Sequence, residues 1–240
     1  MLKLTDIQLI EHKEQLQDIP EGKILISSLN AHSYNTAQHD NLFAEALRNS
    51  DYLIPDGVSI VMACKLLNAN SQPPKRIVGW DLFQVEMEKL EARGGKCFFL
   101  GSSEKTLSLI KERAAKDYPH IDVKTYSPPY KDTFTEAEDG SIVRAINDYH
   151  PDLLWIGMTA PKQEKWVYSH WQELDVSCHV GAIGAVFDFY AGTSKRAPLW
   201  WQEHSLEWLY RLILEPRRMW KRYLIGNPLF LWNVLKEKML

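Results

Sequence analysis

A chain of 240 residues with 45% hydrophobic and 25% charged residues has the composition of a folded globular protein. At that size it can form one large domain, or one domain with a small appendage, and bury its core without a disulfide or metal staple. Three cysteines, Cys64, Cys97 and Cys178, lie far apart with no CxxC pair, which argues against a disulfide framework or a cysteine zinc site, and the net charge is −3.

The N-terminus, MLKLTDIQLIEHKEQLQ, is charged throughout and lacks the apolar centre of a signal peptide. No run of 18 apolar residues follows, so a cytoplasmic chain without a membrane span is expected. Strands are predicted at 23–30, briefly at 52–54, then at 96–101, 121–126, 152–158 and 176–185. Helical patterns fall near 38–50, 57–68, 80–93, 103–117, 135–149 and 161–174. Such alternation implies βαβ units and a mainly parallel sheet flanked by helices on both faces, a Rossmann-like α/β fold. The loops are short apart from SPPYKDTFTEAEDG, a Pro/acidic cluster.

After Gly192 the rhythm changes. Residues 198–240 read as two or three helices, interrupted at Glu215-Pro216 and again at Gly226-Asn227-Pro228. The charge splits at the same place. From Thr193 onward nine basic residues face four glutamates, leaving −8 on residues 1–192, and five of the nine tryptophans fall in this tail. The expected organisation is an α/β body over 1–195 and a basic, tryptophan-rich helical appendage over 196–240.

Open parallel sheets bind ligands outside the carboxyl ends of their strands. Four segments there are rich in polar residues: Ser27 to Asn30, Pro55-Asp56-Gly57, Gly101-Ser102-Ser103, and Gly157 to Glu164. In the last, two readings compete. If Pro161 is the first helical residue, Ala160 is an N-cap without a side-chain acceptor, and the bare amides suit an anion. If Thr159 caps the helix, Glu164 merely complements its dipole. Either way Gln163 and Glu164 fall in the first turn. Asp56 reads as an N-cap or turn residue, or as a general base at the strand ends. Asp81 reads as a cap for a helix beginning at Leu82 or as a site residue. Arg76 is a solvated loop arginine or a bidentate phosphate ligand.

The chain has no GxGxxG, Walker A, GxSxG, HExxH or Asp-x-Asp motif, and no metal site is expected. Its acidic body offers no continuous basic track, so nucleic acid is not an expected partner.

In series, these segments resemble the WecG/TagA/CpsF family, glycosyltransferase family 26. The matching pieces are SLN at 28–30, PDGVS at 55–59, RIVGWDLF at 76–83, FFLGSS at 98–103 and PDLLWIGMTAPKQEKW at 151–166. FDFYAGTSKRAP at 187–198 and SLEWLYRLILEPRRMWKRY at 205–223 complete the set. The resemblance implies an inverting, metal-independent transferase without a cofactor. It would move a hexose or N-acetylhexosamine-type sugar from a UDP-sugar donor to an undecaprenyl-diphosphate-linked sugar acceptor in cell-surface polysaccharide synthesis.

By position, Asp56 matches the proposed catalytic base, and Ser28 stands where a threonine is often found. Asn30, Arg76 and Gln163 match polar residues of the site. Arg211, Arg218 and Arg222 match positions thought to close over the donor diphosphate. Asp81, Gly101 and Glu164 complete the expected substrate-binding set. A cationic, apolar tail is the composition of an interfacial helix pair, so a C-terminal membrane-binding appendage, contact with an anionic membrane surface and a peripheral place on its inner face are expected. Monomer or homo-oligomer is left open. The competing reading is a catalytically inactive nucleotide-binding regulatory or scaffold protein of the same fold.

Overall fold

The computed structural model describes residues 1–239, the Arg218 side chain excepted. After a 3-10 turn at Lys13–Leu16 come β1 (Ile24–Leu29), α1 (Ala31–Ala37), α2 (Asn41–Arg48), β2 (Tyr52–Pro55), α3 (Val58–Leu67) and α4 (Gly79–Arg93). Then follow β3 (Gly95–Gly101), α5 (Glu104–Asp117), β4 (Ile121–Tyr126), α6 (Glu136–Asn147), β5 (Leu153–Gly157), α7 (Lys162–His170), β6 (His179–Ala182) and α8 (Val186–Ala191). The six strands form one parallel sheet in the order β2-β1-β6-β5-β3-β4.

The near-continuous apolar strands reflect burial on both faces. Alternate residues separate cleanly. Phe99, Leu153 and Trp155 join Phe83, Phe187 and Tyr190 on one side. Phe98, Leu100, Leu154 and Ile156 meet Ile142, Trp166 and Val167 on the other. Trp155 of β5 stands in register with Gly181 of β6. A Cβ at 181 would lie 2.1 Å from the indole, so the glycine makes room for a large ring at the centre of the sheet.

The predicted strands are all present. Two short helices were not foreseen. α1 (AHSYNTA) is rich in poor helix formers, and the single predicted helix at 38–50 covers only its successor. It forms because Asn30 Oδ1 accepts from Ser33 N at 3.0 Å and because Tyr34 is buried. α8 has only six residues.

The tail comprises α9 (Leu199–Glu203), α10 (Glu207–Leu214), α11 (Pro216–Trp220), a π turn at Lys221–Ile225 and α12 (Gly226–Met239). The break at Glu215-Pro216 is present, with Pro216 in the first turn of α11, where no amide is required. The expected interruption at 226–228 is absent. The π turn resets the hydrogen-bond ladder just before Pro228, so the missing N–H falls in the opening turn of α12.

α12 lies on the body. Phe230 and Val234 share a core cluster with Leu2, Leu4, Leu29 and Tyr34. Tyr34 meets Phe230 edge-on at 5.4 Å. Glu237 accepts from Tyr34 Oη at 2.5 Å and from the Thr5 amide at 3.0 Å. Ile213, Trp220, Leu224, Leu229, Trp232 and Leu235 remain exposed. Among the described residues no helix is long and apolar enough to cross a membrane.

Candidate active site

The carboxyl ends of β1, β2, β5 and β6 open into a single cleft of about 1970 Å³, roofed by tail residues and by the loop after β4. That volume exceeds the ~300–1,000 Å³ of an ordinary small-molecule pocket and leaves room for two substrates.

Asp56 sits between β2 and α3, half-buried in the cleft wall. Its amide donates to the Leu29 carbonyl at 2.8 Å, which fixes the loop against β1. The N-cap of α3 is Gly57, with φ of 144°, a backbone state that glycine adopts without a Cβ penalty, and no side chain caps this helix. The carboxylate of Asp56 is therefore not spent on capping. Burial raises its pKa above the ordinary carboxylate value. The charge of Arg211 opposes that rise, Glu207 adds to it, and Arg76 and Arg222 oppose it further.

The arginines come from distant segments. Arg76, in the loop before α4, donates from Nη1 to Glu207 Oε2 at 3.1 Å and from Nη2 to the Gln202 carbonyl at 3.2 Å. Arg211 reaches Glu207 Oε1 at 3.4 Å and lies over the Phe189 ring at 4.9 Å. Arg222, in the π turn, and Arg196, whose guanidinium lies 5.7 Å from the Trp80 ring, also line the cleft. Arg76, Arg196, Arg211 and Arg222 thus gather with Asp56 and Glu207 in the same cleft. Glu207 holds two of these arginines, Arg76 and Arg211. His32 lines the same region, with a pKa lowered by burial and then by Arg222, so it is neutral at pH 7.

α7 begins at Lys162, one residue later than the reading with Pro161 as the first helical residue and two later than the reading with a Thr159 cap. Its N-cap is Pro161, after a cis Ala160-Pro161 bond, and no side chain caps it, neither Thr159 nor any other. Gln163 and Glu164 are fully buried yet line the cleft. Gln163 Nε2 donates to Glu164 Oε1 at 2.8 Å, whereas Gln163 Oε1 and Glu164 Oε2 have no partner. Burial pushes the Glu164 pKa up to about 7, against the smaller opposing effect of the Gln163 hydrogen bond. Two orphaned buried polar atoms facing a cleft are what a substrate with matching groups would satisfy.

Ser28 and Asn30 line the cleft at the end of β1. Asp81 and Gly101 do not. The Asp81 carboxylate accepts from the Val78 amide at 3.1 Å and from Lys13 Nζ at 2.8 Å, so it closes the first turn of a helix that starts at Gly79 rather than at Leu82. Gly101 is packed against the Gly157 carbonyl, where a Cβ would come within 2.6 Å. The expectation for Arg218 lies outside the described side chains. Sequence reasoning did not single out Glu207, Arg196 or His32. Nor did it assign the loop 127–134 to the cleft.

A parallel α/β sheet whose carboxyl edge brings one carboxylate into the field of several arginines has the chemistry to receive an anionic ligand. The family described as "Glycosyl transferase WecG/TagA/CpsF family" matches residues 2–240, and the chain belongs to it. It is similar to proteins named N-acetylglucosaminyldiphosphoundecaprenol N-acetyl-beta-D-mannosaminyltransferase. The one from Bacillus subtilis (strain 168) is 30% identical over 215 residues, covering 89% of this chain and 80% of the relative. Its counterpart in Bacillus spizizenii is 30% identical over 202 residues, or 84% and 75%. That of Staphylococcus aureus (strain NCTC 8325 / PS 47) is 26% identical over 238 residues, or 98% and 89%.

Proposed function

We propose that this glycosyltransferase moves an N-acetylhexosamine-type or hexose sugar from a UDP donor to a sugar carried on a membrane lipid diphosphate, with inversion and without a divalent metal. The product would enter cell-surface polysaccharide. The observation that carries this reading is the half-buried Asp56 carboxylate within the field of Arg76, Arg211 and Arg222. The names of the relatives support the acceptor class.

In this reading the acceptor hydroxyl oxygen attacks the anomeric carbon as the bond to UDP breaks. Asp56 takes the hydroxyl proton, and UDP leaves with the bonding electron pair. The growing negative charge on the diphosphate is met by guanidinium groups already held in place. Arg76 and Arg211 exchange the Glu207 carboxylate for the phosphate oxygens.

Thermal unfolding with UDP, GDP, CMP, ATP and NAD, each in magnesium and in EDTA, tests the donor. At 100 times its dissociation constant UDP should add about 2.7 kcal/mol of stability. For a chain of this size that raises Tm by roughly 5–10 °C, equally in EDTA. A shift confined to magnesium would remove metal independence. A shift with NAD and none with UDP would overturn the donor assignment.

The exposed apolar residues of the tail are interspersed with Arg217, Lys221, Lys236 and Lys238, all exposed. We assign this surface to the inner leaflet, where each basic residue contributes on the order of 1 kcal/mol. The chain should pellet with anionic vesicles, less so at high salt, and a Trp220→Ser/Leu224→Ser/Trp232→Ser variant should remain in solution. A variant that pellets like the parent places the membrane contact elsewhere.

A further inference from the structure

The cleft changes character along two neighbouring helices. On the continuous run from the π turn into α12, Arg222, Asn227, Leu231 and Val234 recur at helical spacing, and all four line the cleft. Charge at one end gives way to hydrocarbon at the other. α3 repeats this order. Ser59 follows the Asp56 loop, and Met62 and Leu66 succeed it at intervals of about one turn, again in the cleft wall. Between the two helices the floor is Ala63, Phe230 and Val234, all buried in one cluster. The rims are exposed: Met62 by 65%, Leu231 by 60% and Leu66 by 46%. From Val58 to Leu66 the groove runs ~12 Å. Apolar rims grouped at the open end of a charged cleft mark a binding surface rather than scattered surface residues.

We propose that the groove between α3 and α12 holds the first isoprenoid units of a polyprenyl diphosphate-linked acceptor. The inference rests on the acceptor class given above. Its own support is the order of chemistry along the wall. The carboxylate at Asp56 faces a sugar hydroxyl, Arg222 faces the acceptor's diphosphate, which leaves Arg76 and Arg211 to the donor, and Met62, Leu66 and Leu231 face hydrocarbon. A sugar–diphosphate–polyprenol presents the same three groups in the same order. The groove thus draws the start of the lipid out of the bilayer and sets the register of the sugar against Asp56.

Titration calorimetry on the full chain, with farnesyl diphosphate and inorganic diphosphate as probes and no sugar donor, tests this directly. Farnesyl diphosphate should bind roughly tenfold tighter or more, since burying about two methylene groups already suffices for that factor. Met62→Gln/Leu231→Gln changes two exposed side chains. It should abolish most of that advantage and leave inorganic diphosphate binding as it was. Equal affinities in the parent chain, an undiminished preference in the variant, or an equal loss for both probes would each overturn the groove. If the variant keeps its preference but loses vesicle binding or self-association, the apolar rims belong to the bilayer or to a second copy. Because no sugar is transferred in these titrations, a groove confirmed in a chain that transfers no sugar would count against the transferase reading alone. Failure of both probes to bind would remove the acceptor reading and the groove together.

Discussion

Asp56→Asn should lower turnover by about 10²–10⁴-fold and leave UDP binding in place. The amide has nearly the shape of the carboxylate but cannot take the proton of the incoming hydroxyl. The arginines proposed to contact the diphosphate are untouched. Burial raises the pKa of Asp56, and a base works only when ionised, so kcat/KM should climb through an acid limb lying above the ordinary carboxylate range. The limb should vanish in the variant. Steady-state rates across pH, paired with UDP titrations, check both points. Near-normal turnover in the variant would remove Asp56 from the chemistry. Loss of UDP binding alongside turnover would make it a binding or folding residue instead.

A second large effect concerns stability. Glu164 ionises near 4.5 in an unfolded chain and at about 7 in the folded one, because it is buried. A carboxyl with a raised native pKa gives its full stabilisation below the unfolded value and loses it as pH rises through the native one. The difference amounts to about 3 kcal/mol at 1.36 kcal/mol per pH unit, lost between about pH 4.5 and 7. Glu164→Gln keeps the shape and a donor but cannot ionise. Its unfolding free energy should lack this decline, so that the variant exceeds the parent at pH 8 by more than at pH 4.5. Urea unfolding at a series of pH values measures the difference, and parallel profiles for the two chains would refute it. The same neutral carboxyl is suited to donate from its unpartnered Oε2 to a bound substrate. A saturating UDP-sugar would then change the slope of the profile.

The strands were legible because burial on both faces writes an unbroken apolar run into the sequence, as in KCFFLG and DLLWIG. α1 was not, because its stability comes from the Asn30 cap and the burial of Tyr34 rather than from its own composition. Asp56 and Gln163 drew notice by their position after strands and Arg76 as a loop arginine and by resemblance, and all three line the cleft. Asp81 could not be separated from a cap in that way, and the fold makes it one. Glu207 shows why the remainder of the site stayed hidden. In the sequence it is an ordinary glutamate on an amphipathic helix. Only the fold carries it across 131 residues to Arg76. Nothing in its local surroundings marks that pairing, and Arg196 and His32 are likewise assembled by tertiary structure alone.

The attachment of α12 to the N-terminal segment bears on how the protein is made. Leu2, Leu4 and Tyr34 share their cluster with Phe230 and Val234, and Thr5 and Tyr34 share the carboxylate of Glu237. Tyr34 and its apolar neighbours are thus covered by a helix whose Glu237 lies 203 residues further along the chain. Such distant pairing is slow to form. Until α12 docks, the apolar cluster beside β1 and β2 lacks the cover of Phe230 and Val234. The exposed cationic tail and the final core contacts are delivered in the same step. Closure of this side of the α/β core and docking of the C-terminal helix are therefore one event in folding.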